Sequence, residues 1–358
     1  MSSVTDLEAP ATPVLVHADR GVGSLILNRP RAINALDIEM VRILSDALDA
    51  WEHDADIEMV LLEGAGERGL CAGGDIRVLR EQIMTAGAFG AAEFFRAEYA
   101  LNARIAEYPK PFVVLADGIT MGGGIGLAGH AAFRVVTERS ALAMPETRIG
   151  FTPDVGGTWL LARAPGRVGE YLALTGSTMA DADAIYAGFA DHLVPVERLD
   201  GFRDALETRA DPTGPAELVL LFDETPETSG LETARPWIDA AFSADTVAEI
   251  ITRLDARPEP DAAATADLLR TLSPVALTVT LAAVRSAREL PNLRAALAQE
   301  YALVTWFALT QHDLLEGIRA QVIDKDRTPH WNPPTLDALP PGIAAEALAY
   351  EPAVPLWS

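Results

Sequence analysis

Apolar and polar positions fall into short blocks whose period changes in a regular order along the chain. Residues 13–19 and 23–27 are apolar runs around an Asp19-Arg20-Gly21 turn, which predicts a pair of strands, and Asn28-Arg29-Pro30 stops the second. Between 37 and 51, Ile38, Val41, Leu44, Leu48 and Trp51 recur at helical intervals, with Asp37 placed to cap the first turn. Residues 59–64 read as a strand ending in glycine, 66–75 as a loop, and 76–84 and 94–107 as helices, the latter closed by Tyr108-Pro109-Lys110-Pro111. The β-branched run 112–116 predicts a buried strand that turns at Asp117-Gly118 into a glycine cluster, Met121 to Gly129, whose second half reads as a buried helix. Residues 133–137 and 141–145 predict two further strands. Strands alternating with helices argue for an α/β architecture with parallel strands.

Beyond residue 195 the pattern changes. The stretch 206–232 is turn-rich and acidic and reads as a connector with one short helix. From 233 to 334 the periodicity is helical, with helices expected over 246–254, 261–272, 274–287 and 292–323. Residues 329–334 read as irregular, docking through Trp331, and 335–358 as an irregular tail. The expected division is therefore a disordered 1–12, a core over 13–205, the connector, the helical region and the tail.

Composition narrows the partners. The formal net charge of −24 argues against nucleic acid. Only two lysines occur, Lys110 and Lys325, so an anionic ligand must be met by arginine or by backbone N–H groups. One cysteine, Cys71, leaves no disulfide framework or multi-cysteine zinc site, and the six histidines show no ligand spacing, so no metal is expected. No run approaches the ~18 apolar residues of a membrane span, and residues 1–13 carry no basic residue, so the expectation is a cytoplasmic protein that does not engage a membrane.

Two glycine-rich loops each follow a strand and open a helix: Gly69-Leu70-Cys71-Ala72-Gly73-Gly74-Asp75, and Gly122-Gly123-Gly124. Such junctions leave backbone N–H groups uncovered, and two of them aimed at one point would make an oxyanion hole; the plainer reading is a pair of tight turns. Gly124-x-Gly126-x-x-Gly129 also matches the dinucleotide fingerprint, with Glu146 about twenty residues on. Its late position, after three expected strands, argues against a nicotinamide site. Glu146 and Asp154 sit in a loop of apolar residues, Pro and Gly, surroundings that raise carboxyl pKa values and suit acid–base or nucleophilic work; the plainer reading makes them helix caps or partners of Arg148. Glu98 is a lone acid on an apolar helix, for which pairing with Arg104 is the plainer reading. Cys71 and His130 read as core residues.

Taken together, Leu27-Asn28-Arg29-Pro30-x-Ala32-x-Asn34-Ala35-Leu36, Cys71-Ala72-Gly73-Gly74-Asp75, Gly118-x-x-x-Gly122-Gly123-Gly124 and Pro145-Glu146-x-x-x-Gly150-x-x-Pro153 resemble the crotonase (enoyl-CoA hydratase/isomerase) superfamily in order and spacing. That resemblance implies a spiral of ββα units with a helical C-terminal region. It also implies an oxyanion hole from the Gly74 and Gly123 N–H groups, and the adenine and phosphates of coenzyme A near Arg29, Arg31, Ala72, Asp75, Ile76 and Arg77. Hydratases of the superfamily use two glutamates; here the first position is Gly126 and only the second, Glu146, is kept. Ala143-Met144-Pro145-Glu146, Pro153-Asp154-Val155-Gly156-Gly157, Phe94-Phe95-Arg96-x-Glu98-Tyr99 and Glu316-Gly317-Ile318-Arg319 are similar to its 3-hydroxyisobutyryl-CoA hydrolase branch, whose substrate-contacting positions fall on Glu98, Gly123, Glu146 and Asp154. The implied activity is hydrolysis of a short 3-hydroxyacyl-CoA, as in valine breakdown, with Gly74, Gly123, Glu146 and Asp154 catalytic, no cofactor beyond the CoA of the substrate, and a homo-oligomer left open. Glu146 as nucleophile or as general base, and the C-terminal helices as cover for their own or a neighbour's site, stay open too. The alternatives are an enoyl-CoA hydratase/isomerase, and an acyl-CoA-binding protein without turnover.

Overall fold

The computed structural model describes residues 12–208 and 214–357. The stretch expected to be disordered thus lies, Thr12 apart, outside the described residues. The chain forms β1 (Val14–Asp19), β2 (Val22–Leu27), β3 (Met59–Gly64), β4 (Phe112–Leu115), β5 (Ile119–Met121), β6 (Phe133–Val136), β7 (Ala141–Ala143) and β8 (His192–Leu193). β1 and β2 are an antiparallel hairpin; from β2 onward every pairing is parallel, in the order β1-β2-β3-β4-β6-β8, while β5 and β7 pair in a second, small sheet.

The small sheet explains the spiral. After β2 the chain makes a bridge at Leu36 and enters the helix Ile38–Trp51, where Asp37 accepts from Met40 N at 2.9 Å as its spacing predicts. After β3 it makes a bridge at Cys71 and enters Ile76–Ala86 and Ala88–Ala106. After β4 it runs through β5 into Gly123–Ala128, and after β6 through β7 into the turn Glu146–Ile149. Each unit therefore adds one strand to the large sheet, one short strand or bridge to the small sheet, and then a helical segment. Leu36 bridges Gly74, Cys71 bridges Thr120, and β5 pairs with β7, so successive units stack in register. This is the spiral of ββα units expected from the sequence.

At the centre of the large sheet, on β3 and β4, both faces are buried, as parallel strands require. On β3, Val60 and Leu62 face the main core while Met59 and Leu61 face a second one. That second core is closed by Phe202 and Leu206 of the helix Leu199–Thr208 and by Leu218 and Val219 of Pro215–Phe222. The stretch 206–232 is therefore more than a connector: its Leu206, Leu218 and Val219 belong to the back wall of the sheet.

The helical region contains Gly230–Phe242, Val247–Asp255, Pro260–Thr271, Pro274–Ala287 and Leu293–Thr310. The single helix expected over 292–323 breaks at Gln311, which is extended, and resumes as Asp313–Ile318. No Gly or Pro marks that break; the buried carboxylate of Asp313 draws the chain aside, accepting from Ser273 Oγ at 2.5 Å and Asn332 N at 2.9 Å. Trp331 docks as expected, donating to Thr271 O at 2.8 Å. The tail 335–358, expected to be irregular, carries a helix, Ile343–Leu348, whose Ile343 and Ala347 are buried in the main core. Arg96 then straps the last residues, donating to Val354 O, Pro355 O and Leu356 O.

Candidate active site

The register of the small sheet delivers backbone groups to one place. Gly74 and Gly123 each lie three residues beyond a bridged pair, Cys71 and Thr120. Gly123 is the first residue of a helix, and Gly74 sits between the donors Gly73 N and Asp75 N, which go to Cys71 Sγ and Leu36 O. Neither the Gly74 nor the Gly123 N–H meets an acceptor among the described residues. The two are neighbours: a Cβ added to Gly123 would lie 3.2 Å from Gly74 N. It would also lie 2.5 Å from Glu98 Oε1, and a Cβ on Gly122 would lie 3.1 Å from Glu146 Oε1. Glycine is required here because any side chain would fill the space between the amides and the carboxylates. At Gly73 and Gly122 the backbone φ of 105° and 49° adds a second reason.

These groups face a cavity of about 690 Å³. Glu98, Glu146, Asp154, Gly74 and Gly123 all line it, with Phe94, Phe95, Ile149 and Phe151 as an apolar wall. Exposed Ala72, Arg77 and Val78 mark its mouth, beside Asp75 and Ile76. Leu268, Thr271, Leu272, Gln321 and Val322 complete the lining, so the C-terminal helices cover the site of their own chain. Arg29 and Arg31 are not brought into this wall. Arg29 is spent on Ala35 O, Asp37 and Asp75, bracing the loop behind it, and Arg31 is exposed with no ion pair among the described residues.

Three carboxylates sit here with no ion-pair partner among the described residues. Glu98 is 2% exposed and Glu146 and Asp154 are each 7% exposed. Glu98 Oε1 and Glu146 Oε2 have no hydrogen-bond partner among the described residues. Burial, then the charge of Asp154, raises both glutamates well above the usual carboxyl range. Burial pushes Asp154 up to about 6, and the Tyr99 hydroxyl, donating to its Oδ2 at 2.7 Å, pulls the other way. The plainer partners are engaged elsewhere: Arg104 meets Asp49 and Glu52, and Arg148 donates to Thr175 O.

The profile of the enoyl-CoA hydratase/isomerase family matches residues 22–348. This chain belongs to that family. A 3-hydroxyisobutyryl-CoA hydrolase of Danio rerio is 39% identical over 322 residues, 88% of this chain and 83% of that protein. Among solved structures, a carnitinyl-CoA dehydratase from Mycobacterium thermoresistibile is 46% identical with a TM-score of 0.91, covering 96% of this chain and 98% of that one. An enoyl-CoA hydratase from Rhodobacter sphaeroides 2.4.1 is 43% identical with a TM-score of 0.87, over 94% and 97%.

Within this family fold the dinucleotide-like glycines have another use. A Cβ on Gly124 would strike Cys71 O at 2.5 Å, one on Gly126 would strike Asn102 Nδ2 and Val155 Cβ at 2.7 Å, and one on Gly129 would strike Leu160 at 2.6 Å. They let a buried helix pack against Cys71, Asn102, Val155 and Leu160. Gly126 therefore has no room for a second acid. Cys71 is a core thiol, pushed up to about 12 by burial, and His130 a core imidazole, lowered to about 4 by burial, bonded to Val155 O at 2.8 Å.

Sequence reasoning missed Tyr99 as the partner of Asp154, the aromatic wall, and Glu300. Glu300, on Leu293–Thr310, is fully buried and accepts from Gly156 N at 2.6 Å, Thr158 N at 2.8 Å and Thr158 Oγ1 at 2.5 Å. The one available signal was an acid inside an apolar helical run, which is seldom free of a partner.

Proposed function

We propose that this protein hydrolyses a short 3-hydroxyacyl-CoA thioester, of the 3-hydroxyisobutyryl-CoA kind, to the free acid and CoA. The observation that carries this reading is Glu146, with a free carboxylate oxygen, in one cavity with two unpaired amides, while the family's other acid position, Gly126, is packed shut against Asn102 and Val155. The relationship to the Danio rerio hydrolase over most of both chains supports the same activity.

In this reading the thioester oxygen accepts from Gly74 N–H and Gly123 N–H, which stabilise the negative charge that develops on it in the transition state. Glu146, ionised, either adds to the carbonyl carbon as the C–S bond breaks, leaving a mixed anhydride that water opens, or removes a proton from the attacking water. Both routes consume one water and release one thiol, and borohydride trapping of an acyl-enzyme separates them. Asp154 and Glu98 hold the substrate's 3-hydroxyl, and Phe95 and Phe151, stacked with ring centroids 6.3 Å apart, give the acyl group an apolar wall.

A second reading, hydration or dehydration of the acyl chain, is favoured by how the two solved structures are described and by the presence of Glu98 and Asp154 in the same cavity. One experiment distinguishes them. The protein is incubated with 3-hydroxyisobutyryl-CoA and with crotonyl-CoA, while free thiol and enoyl absorbance are followed separately. Thiol release from the first without enoyl loss from the second is expected; the reverse result would sink the hydrolase reading.

A further inference from the structure

The loop 152–157 carries Asp154 in a conformation the local sequence does not favour. Val155, a β-branched residue, has φ 53°, and Gly156 follows at φ 80°. Two groups outside the loop hold it there. The His130 Nε2–H donates to Val155 O, and both oxygens of Glu300 accept from its downstream end, Oε2 from Gly156 N and Oε1 from Thr158. Gly157 N in turn donates to Asp154 O at 2.6 Å, so the segment gripped by Glu300 is hydrogen-bonded to the peptide of Asp154. Glu300 lines no part of the cavity. Its carboxyl is pushed up to about 8 by burial, opposed by these same bonds.

We propose that Glu300 is a positioning residue: by clamping Gly156 and Thr158 it fixes Asp154 opposite the substrate's 3-hydroxyl, and so governs how well the site selects a hydroxylated acyl group. The inference rests on the hydrolase reading above. It links the C-terminal helical region to the chemistry through one side chain, rather than through the cavity wall alone.

The geometry names the variant. In Glu300→Gln either orientation of the amide turns its NH₂ toward one of two main-chain N–H groups, because these use different oxygens. Thiol release from 3-hydroxyisobutyryl-CoA is measured for the parent, E300Q, D154N and the double variant, with a thermal melt of each. E300Q is expected to lose up to about 100-fold in kcat/KM, the effect of a misplacement of about 1 Å caused from outside the site. In the D154N background the same change is expected to add nothing beyond about twofold, since the two residues then act as one unit. An E300Q protein within about twofold of the parent, or an equal loss in both backgrounds, overturns the proposal. Should E300Q fail to fold, Thr158→Ala removes one donor only; a loss of about fivefold, the ~1 kcal/mol of one hydrogen bond, confined to the Asp154 background supports the proposal, and an equal loss without Asp154 overturns it. A parent that releases no thiol defeats the hydrolase reading and this proposal with it, whereas a live parent with an indifferent E300Q defeats this proposal alone.

Discussion

Glu146 and Glu170 are both buried glutamates in one chain, and they are treated in opposite ways. Glu170, fully buried in the helix Val168–Thr175, has Arg167 at 2.8 Å, Arg288 at 2.7 Å and Arg285 at 3.8 Å from its oxygens. Among the described residues Glu146 has no ion-pair partner and one oxygen with no hydrogen bond, and an aromatic and glycine-lined cavity lies in front of it. A buried charge is costly unless it is paired. Glu170 is paired and fastens the C-terminal helices to the spiral. Glu146 is left exposed to a substrate, and the protein bears the cost where reactivity is needed. Glu300 lies between the two, buried and matched only by neutral donors.

The largest effect is expected at Glu146. Glu146→Gln keeps the shape and removes the reactive oxygen, and is expected to lower thiol release by about 10⁴-fold or more, as for other groups at the reacting centre, with an unchanged or higher melting temperature. Near-normal release would end the assignment. Glu170→Gln should do the reverse: about 3 kcal/mol of stability lost by denaturant unfolding, at the low end for a broken buried pair because the three arginines are 25–35% exposed, with kcat of the folded enzyme intact.

The pH dependence gives a smaller, directional test. A carboxyl whose value is raised keeps its proton to higher pH, so kcat/KM should rise with pH along an acid limb centred at or above about 6 rather than in the usual carboxyl range. Because the charge of Asp154 is the second cause raising Glu146, D154N should move the limb set by Glu146 downward. The smallest effect is expected at Glu98. Its raised value means that the folded state holds the proton more tightly than the unfolded one, so stability falls as pH climbs past 4.5 toward the folded value. Glu98→Gln should remove that slope and lift the melting temperature near neutral pH by about 2 °C, while weakening turnover of hydroxylated acyl-CoA. A lower melting temperature would contradict it.

What the sequence disclosed follows the reach of each signal. The strand-to-helix junctions at Gly74 and Gly123 were legible because the residues that make them, apolar run, glycine and cap, are neighbours in the chain. Glu146 and Asp154 were legible because an acid among Pro, Gly and apolar residues stands out locally. The break at Gln311 was not, since Phe307, Leu314 and Ile318 stay in helical phase on either side of it and the cause, Asp313 reaching Ser273 and Asn332, is tertiary. The helix Ile343–Leu348 was too short to show a period, and the back wall formed by Phe202, Leu206, Leu218 and Val219 lay in a stretch whose turns and acids masked it. Glu300 was hidden for the plainest reason: its partners are 142 and 144 residues away.

The cavity is closed by Leu268, Thr271, Leu272, Gln321 and Val322 of the same polypeptide that supplies Glu146 and the two amides. Each chain then carries both its reacting groups and the roof above them. Specific activity should hold steady on dilution, and mixing an inactive Glu146 variant with a chain crippled in its roof should restore nothing.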